Sequence, residues 1–410
     1  MIQIAILGHG VVGSGVAELM EKNVTAIAHK AGQEIAVRRI LDLRDFPDCP
    51  YAYKFTKDFD QILQDPEIRI VVETMGGLHP AYEFTRLCLE NGKSVVTSNK
   101  ELVAAKGDEL LALAKQNNLN YLFEASVGGG IPILRPLDQC LAANEVVEVA
   151  GILNGTTNFM LTKMFTEGMT FDAALALAQK LGYAEKNPTA DVDGHDACRK
   201  ICILAALAFG RHVYPEWVHT EGIRGIDAQD VRAAETWGGV IKLIGRAVRR
   251  EDGKLYIIVA PMLIPGNALI SAVKDVFNAV LVRGNAVGDV MFYGRGAGKM
   301  PTASAVVADV IDEVKHIKAR KYLCWDKADP DMILPYEEQT VRLYLRVKGD
   351  AMTALQQLER RFGPVERIPA GDDQTLTVIL PPLPEKECDR RLADFTAGTV
   401  ASRLRVVAFG

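Results

Sequence analysis

The residues best equipped for chemistry lie between Asp191 and Lys200, read as Asp-Val-Asp-Gly-His-Asp-Ala-Cys-Arg-Lys. This stretch packs three carboxylates, a histidine and two cations into ten residues. Asp196 and Lys200 are four apart, so on a helix they share one face. The apolar run Ile201 to Phe209 follows at once and predicts that the helix enters a core, where a lysine has to be paired or have its pKa lowered. Two chemistries fit: a capped helix start with an ordinary ion pair, or a proton-transferring amine beside a carboxylate. Structural pairs outnumber catalytic ones, so spacing alone does not choose between them. His195 reads as a structural residue of the turn.

The second chemical signal is Gly8-His-Gly10-Val11-Val12-Gly13, set between the strand candidate Ile2 to Leu7 and a helix from Gly15 to Lys22. In that context Gly8 allows the tight turn, Gly10 lets a pyrophosphate approach the backbone, and Gly13 lets helix and strand pack closely. The helix start supplies N–H groups and a positive dipole end. A strand over Glu34 to Leu41 follows. Asp42 at its end suits a ribose 2′-hydroxyl and hence NAD, whereas Arg38, Arg39 and Arg44 suit the 2′-phosphate of NADP. Both signals are present and the choice stays open.

These residues need a scaffold, and the pattern predicts one. Strands over Arg69 to Glu73, Ser94 to Thr97 and Asn120 to Glu124 alternate with helices over Pro80 to Asn91 and Glu101 to Asn117. Such alternation implies a parallel sheet with ligands at the carboxyl ends of its strands, where Gly76, Gly77 and Lys100 fall. The Glu124 to Pro132 loop offers a carboxylate, three glycines and free-turning carbonyls, fitting either a hard cation or a plain turn. Residues 134 to about 290 mix helices and strands, as in an α+β substrate and oligomerisation domain, with Gly182 capping a helix over Phe171 to Leu181. Gly294 to Gly298 precedes another helix, either as a return to the nucleotide crevice or as a hinge. Residues 325 to 338 read as a linker. Beyond them, strands over Thr340 to Val347, Leu376 to Leu380 and Ser402 to Phe409, with helices over Asp350 to Phe362 and Glu385 to Ala397, make a small α+β unit.

The 410 residues, 49% hydrophobic, suffice for two or three cores. A net charge of -5 without a Lys/Arg-rich run argues against nucleic acid. The seven cysteines (Cys49, Cys88, Cys140, Cys198, Cys202, Cys324 and Cys388) form no Cys-x-x-Cys pair, which argues against zinc and against a disulfide framework. No apolar stretch is long enough to span a bilayer and no leader pattern precedes the first strand, so a cytoplasmic protein is expected.

Taken together, Gly8-x-Gly-x-x-Gly13, Ser98-Asn99-Lys100, Glu124-Ala-Ser-Val127-Gly-Gly129-Gly-Ile131-Pro, Gly155-Thr-Thr-Asn158, Gly182-Tyr-Ala-Glu185, Asp191 to Lys200 and Gly294-Arg-Gly-Ala-Gly298 resemble homoserine dehydrogenase, over roughly residues 1 to 320. The last seventy residues or so look like an ACT domain. The resemblance implies an α/β fold in which a Rossmann domain spans 1–133 plus 294–320. A substrate and dimerisation domain would span 134–293, a linker 321–339 and a ferredoxin-like ACT domain 340–410. It implies NAD(P)-dependent, reversible reduction of L-aspartate 4-semialdehyde to L-homoserine in threonine, methionine and isoleucine biosynthesis. Lys200 matches the proton-transferring lysine and Asp196 a substrate-contacting carboxylate. Glu185 matches the group that grips the amino group, Asp191 another acid of the site, and Lys100 a lysine at the cofactor–substrate junction. Gly8, Gly10, Val11, Val12, Gly13, Asp42, Arg44, Gly182 and Gly298 match cofactor contacts. Glu124, Val127, Gly129 and Ile131 match a monovalent-cation loop, usually for sodium, acting through backbone carbonyls. A homodimer or homotetramer and a threonine effector belong to the same expectation. The rivals are a cysteine-dependent semialdehyde dehydrogenase built on Cys198 and His195, and a non-catalytic nucleotide-binding sensor.

Overall fold

A computed structural model describes residues 1–319, 323–370 and 373–409. The expected boundary between the nucleotide domain and the linker, at 320/321, lies outside them. The chain forms two compact units, one of residues 1–145, 202–215 and 292–329, the other of 146–201, 216–291 and 330–410. Among the described residues, no helix is long and apolar enough to cross a membrane.

The first unit is built on a parallel sheet of β1 (Ile2–Leu7), β2 (Ile35–Leu41), β3 (Phe55–Thr56), β4 (Ile68–Glu73), β5 (Ser94–Thr97) and β6 (Tyr121–Leu122), in the order β3-β2-β1-β4-β5-β6. Strands covered on both faces read as continuous apolar runs, and Ile4 to Leu7 and Ile70 to Val72 are wholly buried. The register explains what gathers at one edge. Leu7 pairs with Leu41 on one side and Glu73 on the other, and Glu73 with Thr97. Gly8, Asp42, Thr74 and Ser98 therefore leave the sheet together. The chain reverses direction across the sheet between β1 and β4, the switch point at which open α/β sheets bind ligands. The helix Val11–Lys22 lies against the helix Lys299–Lys315, and a Cβ at Gly15 would sit 3.0 Å from Lys299.

The second unit contains an eleven-stranded mixed sheet. Its strands are β7 (Val146–Ile152), β8 (His219–Thr220), β9 (Gly239–Arg249), β10 (Leu255–Pro265), β11 (Phe277–Gly284), β12 (Gly288–Arg295), β13 (Thr340–Lys348), β14 (Glu366–Arg367), β15 (Thr375–Ile379), β16 (Leu383–Pro384) and β17 (Thr399–Val406). The main order is β12-β11-β7-β9-β10-β17-β13-β15-β14. Strand β10 is paired along its whole length with β9. The C-terminal strands extend this sheet, because β17 pairs in parallel with β10 at Met262–Arg405. The buried Arg346 of β13 donates to Asp230 (2.8 Å) on the helix Ala228–Trp237, and Tyr344 donates to the same carboxylate (3.0 Å).

Candidate active site

At the glycine turn, Gly8 has φ +90°, a backbone conformation that favours glycine. A Cβ on Gly13 would lie 1.9 Å from the Gly8 carbonyl oxygen, so only glycine fits. The helix then begins at Val11, with Gly10 before it and no side chain capping it among the described residues. Its first N–H groups suit an anion. Beside the turn is a cavity of about 440 Å³ lined by Gly8, Gly10, Asp42, Arg44, Thr74 and Met75 among others. That volume suits a small-molecule site. A dinucleotide therefore fits on two counts: a turn that a side chain would fill, and a cavity at the switch point.

Asp42 and Arg44, read as competing signals, are each other's partners. Arg44 donates through Nε and Nη2 to the two Asp42 oxygens (3.0 and 2.8 Å), and the His9 backbone N–H donates to Oδ2 (2.7 Å). Hydrogen bonding from Arg44, against the cost of burial, holds the Asp42 carboxyl well below the usual range. Arg38 faces elsewhere, on Asp65 and Glu67 (2.5 and 2.9 Å), and so is not placed for a 2′-phosphate. Neither Arg38 nor Arg39 lines the cavity; Arg44 and Lys57 do.

Lys100 opens the helix Lys100–Gln116, half-buried, behind Asn99, whose side chain caps the helix by accepting from Leu102 N–H (3.1 Å). Asn99 also donates to the Gly77 carbonyl (2.7 Å). Glu73, which sequence reasoning passed over, links the same loops. Its buried carboxylate accepts from Thr97 Oγ1 (2.6 Å) and Met75 N–H (2.7 Å). Burial pushes this carboxyl up, against the hydrogen bonds that favour its charge. A carboxylate directly after the apolar run Ile70 to Val72 was the available signal.

The expected strand Asn120 to Glu124 stops at Leu122, because Glu124 turns inward. Its carboxylate accepts from the N–H groups of Ile133, Leu134 and Arg135 (2.6, 2.9 and 2.7 Å), and its own N–H donates to Asp309 (2.8 Å). Burial, then the Glu124 charge, push Asp309 up against the pull of Arg135. With that carboxylate engaged, a cation at this loop would have to meet backbone oxygens. Gly128 and Gly129 are both left-handed (φ +73° and +54°). Cβ atoms on Gly129 and Gly130 would strike Gly296 O at 2.4 Å and Pro301 Cβ at 2.8 Å. The Gly294 to Gly298 turn thus packs on the Glu124–Ile131 loop within the dinucleotide-binding unit. Gly298, with φ +120°, stands immediately before the helix Lys299–Lys315.

The helix His195–Phe209, whose residues up to Ile201 belong to the second unit, buries Cys198, Ile201, Cys202 and Ala205, as its apolar pattern predicts. Gly245 of β9 makes room for it, since a Cβ there would lie 3.1 Å from Ile201 Cβ. Lys200 is 7% and Asp196 3% exposed. Lys200 Nζ donates to Asp196 Oδ2 (2.7 Å) and to the Leu153 carbonyl (2.8 Å). Asn154 Nδ2 donates to Asp196 Oδ2 (2.9 Å) and Asp191 Oδ1 (2.7 Å). Lys200, Asp196 and Asp191 are therefore brought together, with Asn154, immediately before the Gly155-Thr-Thr-Asn158 stretch, as the linking residue. Glu185 and Gly182 are exposed on the loop after the helix Phe171–Lys180. Thr156 Oγ1 ties that loop to the start of the next-door helix Gly155–Glu167 through the Tyr183 carbonyl (2.6 Å). His195 is exposed and Cys198 buried, an arrangement that does not suit a histidine base activating a cysteine.

A glycine cradle at the switch point of a parallel sheet, in a chain that also buries a lysine–carboxylate pair, defines a nicotinamide-dinucleotide-dependent oxidoreductase. Comparison with known proteins narrows the class. The family model for the homoserine dehydrogenase NAD binding domain matches residues 8–124, and that for homoserine dehydrogenase matches residues 132–311. The chain is 42% identical to homoserine dehydrogenase of Pseudomonas aeruginosa over 356 residues, 85% of this chain and 82% of that one. A crystal structure of a homoserine dehydrogenase from Thiobacillus denitrificans superposes with a TM-score of 0.91 at 39% identity, covering 100% of this chain and 99% of that one. A hyperthermophilic archaeal homoserine dehydrogenase solved in complex with NADPH gives 0.64 at 29% identity, covering 76% of this chain and 97% of that one. The chain belongs to the homoserine dehydrogenase family. It is an NAD(P)-dependent oxidoreductase of amino-acid biosynthesis that interconverts L-aspartate 4-semialdehyde and L-homoserine.

Proposed function

We propose that Lys200 carries the proton in this reaction: it protonates the developing alkoxide as the semialdehyde is reduced and takes the hydroxyl proton in the reverse direction. When bound, the nicotinamide supplies or accepts the hydride. The observation that carries the reading is the buried Lys200 amine, fixed by Asp196 and the Leu153 carbonyl. A positive amine in a partly dry site both donates a proton and stabilises an oxyanion. Asp196 orients it. Lys200, Asp196 and Asp191 carry a formal excess of one negative charge, which suits the ammonium group of an amino-acid substrate. Glu185 and Asp191 hold that ammonium group, and Lys100 is a further substrate contact. Gly182 and Gly298 contact the cofactor through their backbones.

Both cofactors serve, with NADP favoured. Arg44 and Lys57 line the cavity at the end of β2, and Asp42 is already engaged by Arg44 and His9. The archaeal relative solved with NADPH supports this reading. A monovalent cation, sodium in the family, binds the backbone oxygens of Glu124, Val127, Gly129 and Ile131. The C-terminal strands β13, β14, β15 and β17, with helices Ala351–Phe362 and Glu385–Leu392, follow the βαββαβ order and the sheet order β17-β13-β15-β14 of a ferredoxin-like module, which supports an ACT domain; threonine is its proposed effector. The enzyme works in the cytoplasm as a homodimer or homotetramer.

The test is homoserine oxidation followed by nicotinamide absorbance, with NAD and with NADP. Lys200→Ala is expected to lower kcat by about 10²–10⁴-fold, the usual worth of a general acid, with cofactor affinity little changed. Near wild-type turnover would sink the assignment. A kcat/KM no higher with NADP than with NAD would remove the cofactor preference. Turnover indifferent to threonine, or to exchange of sodium for a bulky organic cation, would remove the effector and the ion.

A further inference from the structure

Asn154 follows the end of β7, is 5% exposed, and has a fully committed side chain. Its amide oxygen accepts from the Thr157 N–H (2.9 Å) and so caps the helix Gly155–Glu167. Its two amide hydrogens go to different acids, Asp191 Oδ1 at 2.7 Å and Asp196 Oδ2 at 2.9 Å. Chemistry sets the orientation of this amide. Flipped, its nitrogen would face an N–H donor and its oxygen two carboxylates. Asp196 Oδ2 thus receives Asn154 Nδ2 and Lys200 Nζ on one atom, while the preceding residue, Leu153, gives its carbonyl to the same Nζ. Capping needs only an acceptor, and serine, threonine or aspartate supplies one as well as asparagine does. Only asparagine also supplies two donors to two carboxylates.

We propose that Asn154 is a positioning residue for proton transfer. Through one amide locked by the helix cap, it fixes the separation of Asp191 and Asp196 and holds Asp196 in the orientation that places Lys200. The proposal rests on the reading of Lys200 as the proton carrier. Without the amide donors, Asp196 Oδ2 loses the contact that sets its orientation, Asp191 loses its tie to Asp196 through Asn154, and the amine shifts with a displaced carboxylate.

Asn154→Asp keeps a capping acceptor and removes both donors, Asn154→Ser keeps the acceptor but has a single O–H that cannot serve two carboxylates, and Asn154→Ala removes acceptor and donors alike. The serine and aspartate variants are expected to melt near wild type but to lose kcat by about 10²-fold, the scale of a small misplacement of a reacting group. Asn154→Asp falls further, because a third carboxylate beside two must repel them or take a proton. Cofactor affinity stays unchanged. The decisive measurement is the double variant Asn154→Ser/Lys200→Ala. If Asn154 acts through Lys200, the double variant is no slower than Lys200→Ala alone; an independent structural defect would multiply the losses. Wild-type kcat in both capping variants, or multiplicative losses in the double variant, overturns the positioning role while leaving Lys200 in place. Near wild-type kcat in Lys200→Ala alone overturns the Lys200 reading instead. Should the serine variant not fold, the aspartate variant carries the same comparison.

Discussion

Lys242, on β9, is 4% exposed, and its Nζ donates to two neutral oxygens, Asn158 Oδ1 (2.9 Å) and the Val273 carbonyl (2.6 Å). Burial, then the charge of Lys274, pull its pKa from 10.5 down to about 8, against the opposing pull of Asp275. At about 1.4 kcal/mol per unit, that fall is worth roughly 3 kcal/mol of stability. The sign follows from proton counts. The native state releases this proton near pH 8 and the unfolded chain near 10.5, so between them the unfolded state holds more protons and stability rises with pH. The increment is complete above 10.5 and is lost as pH falls through about 8. Lys242→Met removes the charge and the titration together, and forfeits two hydrogen bonds worth about 1–3 kcal/mol. At neutral pH the variant is therefore expected to be as stable as wild type or slightly more so, and at alkaline pH less stable. Urea unfolding of both proteins at a series of pH values measures the difference directly, since other titrating groups cancel. A difference that stays flat across the window would refute the reasoning. The brace matters to the site, because Asn158 donates in turn to the Asp275 and Phe277 carbonyls (3.0 and 3.1 Å) from the helix that Asn154 caps.

Gly13→Ala places a Cβ against the Gly8 carbonyl, a backbone group that cannot swing aside as a side chain would. Dinucleotide binding, followed by fluorescence titration, should weaken at least tenfold or so, about 1.4 kcal/mol; an unchanged Kd would show that the turn does not cradle the cofactor. Arg346→Ala leaves Asp230, at 0% exposure, without its guanidinium. Loss of one partner from such a buried pair costs about 3–5 kcal/mol in urea unfolding. A loss below about 1 kcal/mol, the worth of a surface pair, would remove the Arg346–Asp230 contact as an anchor of the C-terminal strands.

What the sequence revealed tracks the range over which each feature is encoded. The strand Ser94–Thr97, the glycine turn and the helix following Lys100 rest on neighbours a few residues apart, and their elements stand where the pattern puts them. The helix expected over 385–397 ends at Leu392 instead, with Arg361 donating to the carbonyls of Arg391 and Asp394 from 30 and 33 residues away. Asp42 and Arg44 were visible as types, but nothing in their spacing showed that they neutralise each other. Likewise Glu124 looks like a strand residue until its three N–H partners, 9 to 11 residues on, are known.

The same distinction decides how Asp196 and Lys200 are to be read. Their spacing made the pair foreseeable, but its surroundings come from Leu153 and Asn154, 47 and 42 residues upstream. An ordinary surface pair contributes little and needs no further support. This one exposes only 8% and 5% of its two side chains, and a buried pair is a poor stabilising device, because desolvation offsets its attraction. A strand end that supplies a carbonyl to the amine and an amide to both acids goes beyond what folding asks of an ion pair. That excess of fixed polar contacts around one amine favours a working acid–base group over a structural one.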